Sequence, residues 1–463
     1  MAPMNIVHIH SHDTGRYVQP YGFAVHTPNI QRFAEEGVLF RQAFCANPTC
    51  SPSRASLLTG MYPHNNGMIG LAHRGSRLND YSKHLSHFLR AQGFETALSG
   101  MQHETGWANQ RADLGYDHFL MDGIPQGMRD KDAAVARRAC AFVEDPARRQ
   151  RPFFLSCGFT ATHRTEGVAF PGEKIAPGDE REIQWFNRGH SPAGDPRYTR
   201  PPLPLPDTPE TRQDFADYAV AVTRLDDYVG QVLDAIRRAG LNESTLVIVS
   251  TDHGIAFPKM KCNLTDHGIG VMLMIRGPGG FVGGRCLDGL VSHIDLYPTL
   301  CDLLEIPHPD WLQGVSLLPL LHGQKPLRNE IFAEINYHAA YEPARALRTD
   351  RYKYIRRWNL QAHPILPNCD DSISKYLLCQ AGWSEQPQPP EELYDLMLDP
   401  VELCNRAPDA QMAEVLTKLR ARLDSWMRET EDPLRAGHIA PQPGMVNNPV
   451  DGFSPSTRPE PSR

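Results

Sequence analysis

NIVHIHSHDTG, residues 5–15, decides how the rest of the chain is read. Its apolar run is rich in β-branched residues, too short for a helix and closed by polar, turn-forming positions, so the spacing predicts a strand over 5–9. That strand runs out into His12-Asp13. A second stretch, LVIVSTDHG at 246–254, repeats the arrangement: a strand over 246–250 runs out into Asp252-His253. Further strands are predicted over 153–158 and 271–275, with amphipathic stretches between them. In HTPNIQRFAEEG, Thr27 is placed to cap a helix, Pro28 fits its first position and Gly37 can close it. A longer helix is predicted over 209–239. The alternation implies an α/β fold, a large mainly parallel sheet sandwiched by helices, with its ligand beyond the carboxyl ends of the strands.

Two aspartates leaving separate strand ends can converge on a divalent cation, or each can simply cap the turn that follows it. Carboxylate oxygens suit Ca²⁺, Mg²⁺ or Mn²⁺, and an imidazole ligand favours Mn²⁺. Asp13, Asp252 and His253 are the candidate ligands, with His12 as a further one.

The segment FCANPTCSPSRASLLTG, 44–60, sets Cys50, Pro52 and Arg54 at the mouth of a short helix. Cys50 is either a buried thiol or a working group. The helix N-terminus and the guanidinium of Arg54 would both attract a tetrahedral anion. No histidine stands in this stretch to act as base for a plain cysteine nucleophile.

From about residue 326 the pattern changes to short strands typical of a small antiparallel sheet. A helix follows, with Met412, Leu416, Leu419, Leu423 and Trp426 on one face. The expected organisation is a catalytic domain over 1–325 and a smaller C-terminal α+β domain over 326–440. An insertion near 363–390 is placed to shape a pocket, and a disordered or extended tail is expected over 441–463. RYKYIRRW, 351–358, mixes basic and aromatic residues as nucleic-acid sites do, but a half-exposed strand accounts for it better.

The 463 residues carry a net charge of −7, with 41% hydrophobic and 22% charged positions, which gives no reason to expect nucleic acid or an anionic membrane as partner. No window offers about twenty uninterrupted apolar residues. The ten cysteines form no CxxC pair and are expected to be free thiols. No basic, apolar leader opens the sequence, so a cytoplasmic location is expected.

CSPSRASLLTG resembles the signature of the type I sulfatases, members of the alkaline phosphatase superfamily. The likeness extends to NIVHIHSHDTG, TPNIQRFAEEGVLFRQAFC, PFFLSCGFTATHR, LVIVSTDHG and ELYDLMLDPVE. NNGMIGL, DHGIAFP and RETEDP are similar to the family's sulfamidase branch, the heparan N-sulfatases. The resemblance implies that a formylglycine-generating enzyme oxidises Cys50 to formylglycine. It also implies that the hydrated aldehyde attacks sulfur beside a divalent metal, Ca²⁺ by family, with Mn²⁺ or Mg²⁺ as alternatives. By the same resemblance Asp13, Asp252 and His253 are metal ligands together with residue 50. His103 assists the formylglycine hydroxyl, His163 meets the sulfate and protonates the leaving group, and Arg54 and Lys261 bind sulfate. Two positions depart from the pattern: His12 stands where a second aspartate is usual, and Met101 where a lysine is.

The expected function is therefore hydrolysis of a sulfate ester or sulfamate on a small sulfated substrate, by a monomer or a homo-oligomer. A phosphonate monoester or phosphodiester hydrolase using the same nucleophile is the first alternative. An inactive homologue that binds sulfated ligands is the second.

Overall fold

The computed structural model describes residues 4–124, 130–165, 183–186, 193–324, 328–358, 361–456 and 460–461. The strands of its first part are β1 (Asn5–Ser11), β2 (Val38–Phe40), β3 (Ala43–Phe44), β4 (Glu95–Gly100), β5 (His118–Phe119), β6 (Phe153–Gly158), β7 (Thr245–Thr251), β8 (Leu273–Arg276), β9 (Arg285–Leu287) and β10 (Val291–Ser292). Eight of them form one sheet in the order β5-β4-β6-β1-β7-β8-β2-β9, while β3 and β10 pair separately. β1 is parallel to both β6 and β7. The strand expected over 271–275 is β8, which starts later and runs antiparallel to β7, so the sheet is mixed but mostly parallel.

Both faces of the sheet are covered, and the pleat sorts side chains between them. Ile6 of β1 and Leu246 and Ile248 of β7 join one core with Leu57 and Leu58 of the helix Cys50–Thr59. Val7, Ile9, Val247 and Val249 join the opposite core, beneath the helices Lys131–Glu144 and Pro209–Arg238. β1 is buried along its whole length, as expected of a central parallel strand.

Thr208 caps the long helix by accepting from the Thr211 N–H. Thr27 does not cap the helix Pro28–Glu36 with its side chain. Its hydroxyl instead accepts from the Gln19 N–H, and Asp226 of the long helix accepts from the N–H groups of Asn29 and Ile30. Tertiary packing has supplied the carboxylate that the local sequence lacks.

A second sheet is antiparallel, in the order β11 (Glu330–Tyr337), β12 (Tyr341–Thr349), β13 (Tyr352–Arg357) and β14 (Glu391–Asp395). The helix Ala413–Glu429 lies against it through Leu416, Leu419, Leu423 and Trp426, and Trp426 stacks on Phe332 at 4.8 Å. RYKYIRRW supplies β13. Within the described residues the tail from 441 onward is held by polar contacts. Arg74 donates to Asn448 and to the Pro455 carbonyl, Ser454 bonds Asp371, and the Phe453 carbonyl accepts from Lys375 at 2.7 Å. These polar contacts give the tail partners that its composition does not announce. All ten cysteines are unpaired, and among the described residues no helix is long and apolar enough to cross a membrane.

Candidate active site

Register builds the site. Ser11 at the end of β1 pairs with Thr251 at the end of β7, so the residues that follow leave the sheet side by side. The Asp13 N–H donates to Asp252 Oδ1 at 2.8 Å and the Thr14 N–H to Thr251 Oγ1. Asp13 has a φ of 58°, a left-handed conformation that costs a non-glycine residue about 1–3 kcal/mol and that clusters at functional sites. The turn is pinned by the Thr162 hydroxyl on the Asp13 carbonyl.

Cys50 is the first residue of the helix Cys50–Thr59, and every residue of that helix is buried. Pro52 lies in the first turn, where a missing N–H removes no intrahelical bond. Gly60 ends the helix in the left-handed conformation. Arg54 comes one turn after Cys50 and is almost wholly occupied within the protein. Its Nε and Nη2 reach Asp252 Oδ2 at 3.2 and 3.1 Å, Nη2 donates to the Ser11 carbonyl, and Nη1 meets His10 Nδ1 at 2.6 Å. The expected sulfate-binding fork is thus turned onto a carboxylate.

His12, Asp13, Cys50, Asp252 and His253 each offer a donor atom within 4.8 Å of the others, and all five are buried. His12 Nδ1 is 2.7 Å from Asp13 Oδ1 and 3.3 Å from Asp252 Oδ2. His253 Nε2 is 3.2 Å from Asp13 Oδ1 and 3.4 Å from Cys50 Sγ. The fold therefore brings Cys50 the imidazole that its own stretch lacks. Two solvent-free carboxylates this close repel unless positive charge lies between or beside them, and with two imidazoles the set suits a divalent cation. In a second buried cluster, His64, Glu334 and Asp432, Asp432 is already paired, because Arg345 grips it through Nε and Nη2.

Electrostatics follow from burial and pairing. Burial opposes charge on Asp13, but Lys261 and His12 outweigh it and hold the carboxyl well below its usual range. Burial is likewise overcome at Asp252, by His253, His12 and Arg54. Lys261 Nζ lies 2.8 Å from Asp13 Oδ2 and 2.9 Å from Asp370 Oδ2. Burial would lower its pKa, yet the two carboxylates keep it well above the ordinary lysine value. Burial pushes the Cys50 thiol well up and lowers His12 to about 4.

The remaining expected residues lie around this centre. His163 Nε2 is 4.0 Å from Asp13 Oδ2, and its ring meets that of His12 edge-on at 4.6 Å. His103 lies 5.9 Å from His12, ring to ring, and its Nε2 bonds His73 Nδ1 at 2.8 Å. Sequence reasoning missed His10, His73 and Asp370. His10 carried a usable signal, a polar residue in a strand that must be buried; His73 and Asp370 carried none. Asp370 comes from the insertion near 363–390, which does reach the site.

The sulfatase family profile matches residues 4–306, and that of the N-sulphoglucosamine sulphohydrolase C-terminal region matches 259–366. The chain belongs to the sulfatase family, in the alkaline phosphatase-like fold, and is a sulfuric ester hydrolase or sulfamidase by class. It is similar to human N-sulphoglucosamine sulphohydrolase, 31% identical over 445 residues, covering 89% of this chain and 87% of that one. Among solved structures it resembles a protein in complex with its substrate D-glucosamine-2-N,6-O-disulfate, at TM-score 0.70 and 18% identity, covering 93% of this chain and 98% of that one. It also resembles the phosphonate monoester hydrolase of Agrobacterium radiobacter, at TM-score 0.64 and 21% identity, covering 96% and 100%.

Proposed function

We propose that this enzyme hydrolyses a sulfate ester or sulfamate on a small sulfated substrate. The reaction would use formylglycine made from Cys50 and a divalent cation held by Asp13, Asp252 and His253, with His12 beside them. The observation that carries the reading is the solvent-free convergence of these four side chains on Cys50 within 4.8 Å. Hydrated, the aldehyde supplies the attacking hydroxyl and the one that later releases sulfate, while the cation supplies positive charge against the developing oxyanion.

The chain's own residues do the rest. Arg54 and the two backbone N–H groups of Asp13 and His253 fix the Asp252 carboxylate. Lys261 fixes Asp13 from the other side. In this reading His163, partly open to solvent and near Asp13, would protonate the departing oxygen or nitrogen, and His103, hydrogen-bonded to His73, would take a proton from residue 50. Human N-sulphoglucosamine sulphohydrolase supports a sulfamate or sulfated amino sugar as the substrate class.

The phosphonate monoester hydrolase reading is favoured by one feature, the single aspartate at the end of β1 with a histidine after the second. An inactive sulfate-binding homologue would retain the fold and turn over nothing. Rates measured side by side on an aryl sulfate, N-sulfoglucosamine and phenyl phosphonate separate the three. A mass spectrum of the Cys50 peptide from protein made in its native host tests the nucleophile; intact cysteine there refutes it. A formylglycine-generating enzyme as maturation partner, a cytoplasmic location and homo-oligomerisation belong to the same proposal; co-expression, cell fractionation and light scattering test them.

A further inference from the structure

An anion entering this site needs hydrogen-bond donors, and the obvious ones are engaged. Lys261 is shared between Asp13 and Asp370. Arg54 is shared among Asp252, His10 and the Ser11 carbonyl. Met101, next to the end of β4, adds no charge. What remains around the cluster is a ring of imidazoles. His12 is fully buried, and its Nε2 has no hydrogen-bond partner among the described residues. The rings of His163 and His103 lie 4.6 and 5.9 Å from that of His12, centroid to centroid, and His103 Nδ1 is likewise buried and has no hydrogen-bond partner among the described residues. A buried polar atom without a partner is destabilising unless a ligand or water completes it.

We propose that His12 acts at both ends of its ring: Nδ1 joins Asp13, Asp252 and His253 as a cation ligand, and Nε2–H donates to the substrate's anionic oxygens. The two roles reinforce each other. A neutral imidazole carries one proton, so a nitrogen that gives its lone pair to a cation leaves the proton on the other nitrogen, and the attached charge makes that N–H a stronger donor. One neutral side chain then replaces a carboxylate ligand and adds a donor, which lessens the repulsion an anionic substrate meets. Two nitrogen and two oxygen donors also suit a first-row ion such as Mn²⁺ better than Ca²⁺. The inference rests on the cation site proposed above.

Two near-isosteric variants divide the roles. In His12→Asn the amide can occupy the Nδ1 position and nothing reaches Nε2; in His12→Gln the amide can reach the Nε2 position and nothing occupies Nδ1. Mn²⁺ affinity and, on the Mn²⁺-loaded full chain, inorganic sulfate affinity are measured by calorimetry. Circular dichroism confirms folding. His12→Asn is expected to keep Mn²⁺ binding within a few-fold and to weaken sulfate roughly tenfold or more. His12→Gln is expected to lose at least about tenfold in Mn²⁺ affinity and, at saturating Mn²⁺, to retain sulfate binding. Unchanged sulfate affinity in His12→Asn, or unchanged Mn²⁺ affinity in His12→Gln, overturns the inference. Should one variant fail to fold, the other still decides its own half, and either half failing is sufficient. These affinities are read whether or not Cys50 has been oxidised, so failure here is distinct from failure of the nucleophile, which the mass spectrum reports.

Discussion

Lys261 joins two parts of the chain more than a hundred residues apart, its ammonium lying between Asp13 of the β1 turn and Asp370 of the insertion near 363–390. The insertion thus reaches the candidate site as a counter-charge. Asp370→Asn keeps the shape and removes that charge, leaving Lys261 to Asp13 alone. Substrate KM is expected to change several-fold with Cys50 oxidation unaffected. An unchanged KM would assign Asp370 to stability only.

The same pair sets a pH dependence. Burial alone would raise the Asp370 pKa, but Lys261 overrides it and holds the carboxyl at about 2, below its ordinary value. A folded-state pKa below the unfolded one contributes stability that is fully present above the unfolded value and is lost as pH falls through the folded one. Wild type is therefore expected to lose stability between about pH 4 and pH 2 more steeply than Asp370→Asn. Urea midpoints across that range check it, and parallel curves contradict it.

Arg54 supports Asp252 rather than facing solvent. Removing one partner of a buried ion pair costs about 3–5 kcal/mol, so Arg54→Ala is expected to lower the urea midpoint substantially. Arg54→Lys keeps charge and loses the fork; it is expected to fold and to lose about a hundredfold in kcat/KM, the scale for a misplaced charge-stabilising group.

If the proposed cation is bound, chelation is expected to lower the melting temperature as well as activity, because the charge that would offset Asp13 and Asp252 is removed. A cation at a hundred times its Kd stabilises the native state by about 2.7 kcal/mol. Differential scanning fluorimetry with EDTA, then Mn²⁺ or Ca²⁺, reads the effect; identical curves would argue against a cation in the cluster.

Leu423 is fully buried between the helix Ala413–Glu429 and the antiparallel sheet. Leu423→Ala is expected to cost about 2–5 kcal/mol and to leave KM unchanged. Truncation after residue 441 removes one or more partners of each of Arg74, Asp371 and Lys375. It is expected to loosen the insertion and raise KM, and proteolysis near residue 370 would report the loosening.

Much of this was legible beforehand because short-range physics writes it locally. A β-branched run that stops at a carboxylate marks a buried strand and its exit, and β1 and β7 both obey. Leu416, Leu419, Leu423 and Trp426 share a helix face because 3.6 residues complete a turn. The residue types of the centre, Cys50, Asp13, Asp252 and His253, were visible as strand-end and helix-start positions. Where each side chain's charge goes was decided by tertiary structure alone. Register set His12 against Asp252, the folding back of the second sheet gave Lys261 its partner Asp370, and packing turned Arg54 onto Asp252 and supplied Asp226 as the cap Thr27 does not provide. The pattern along a chain reports which residues must be buried. Electrostatic pairing depends on distances of a few ångströms between residues hundreds of positions apart, and only the folded backbone sets those.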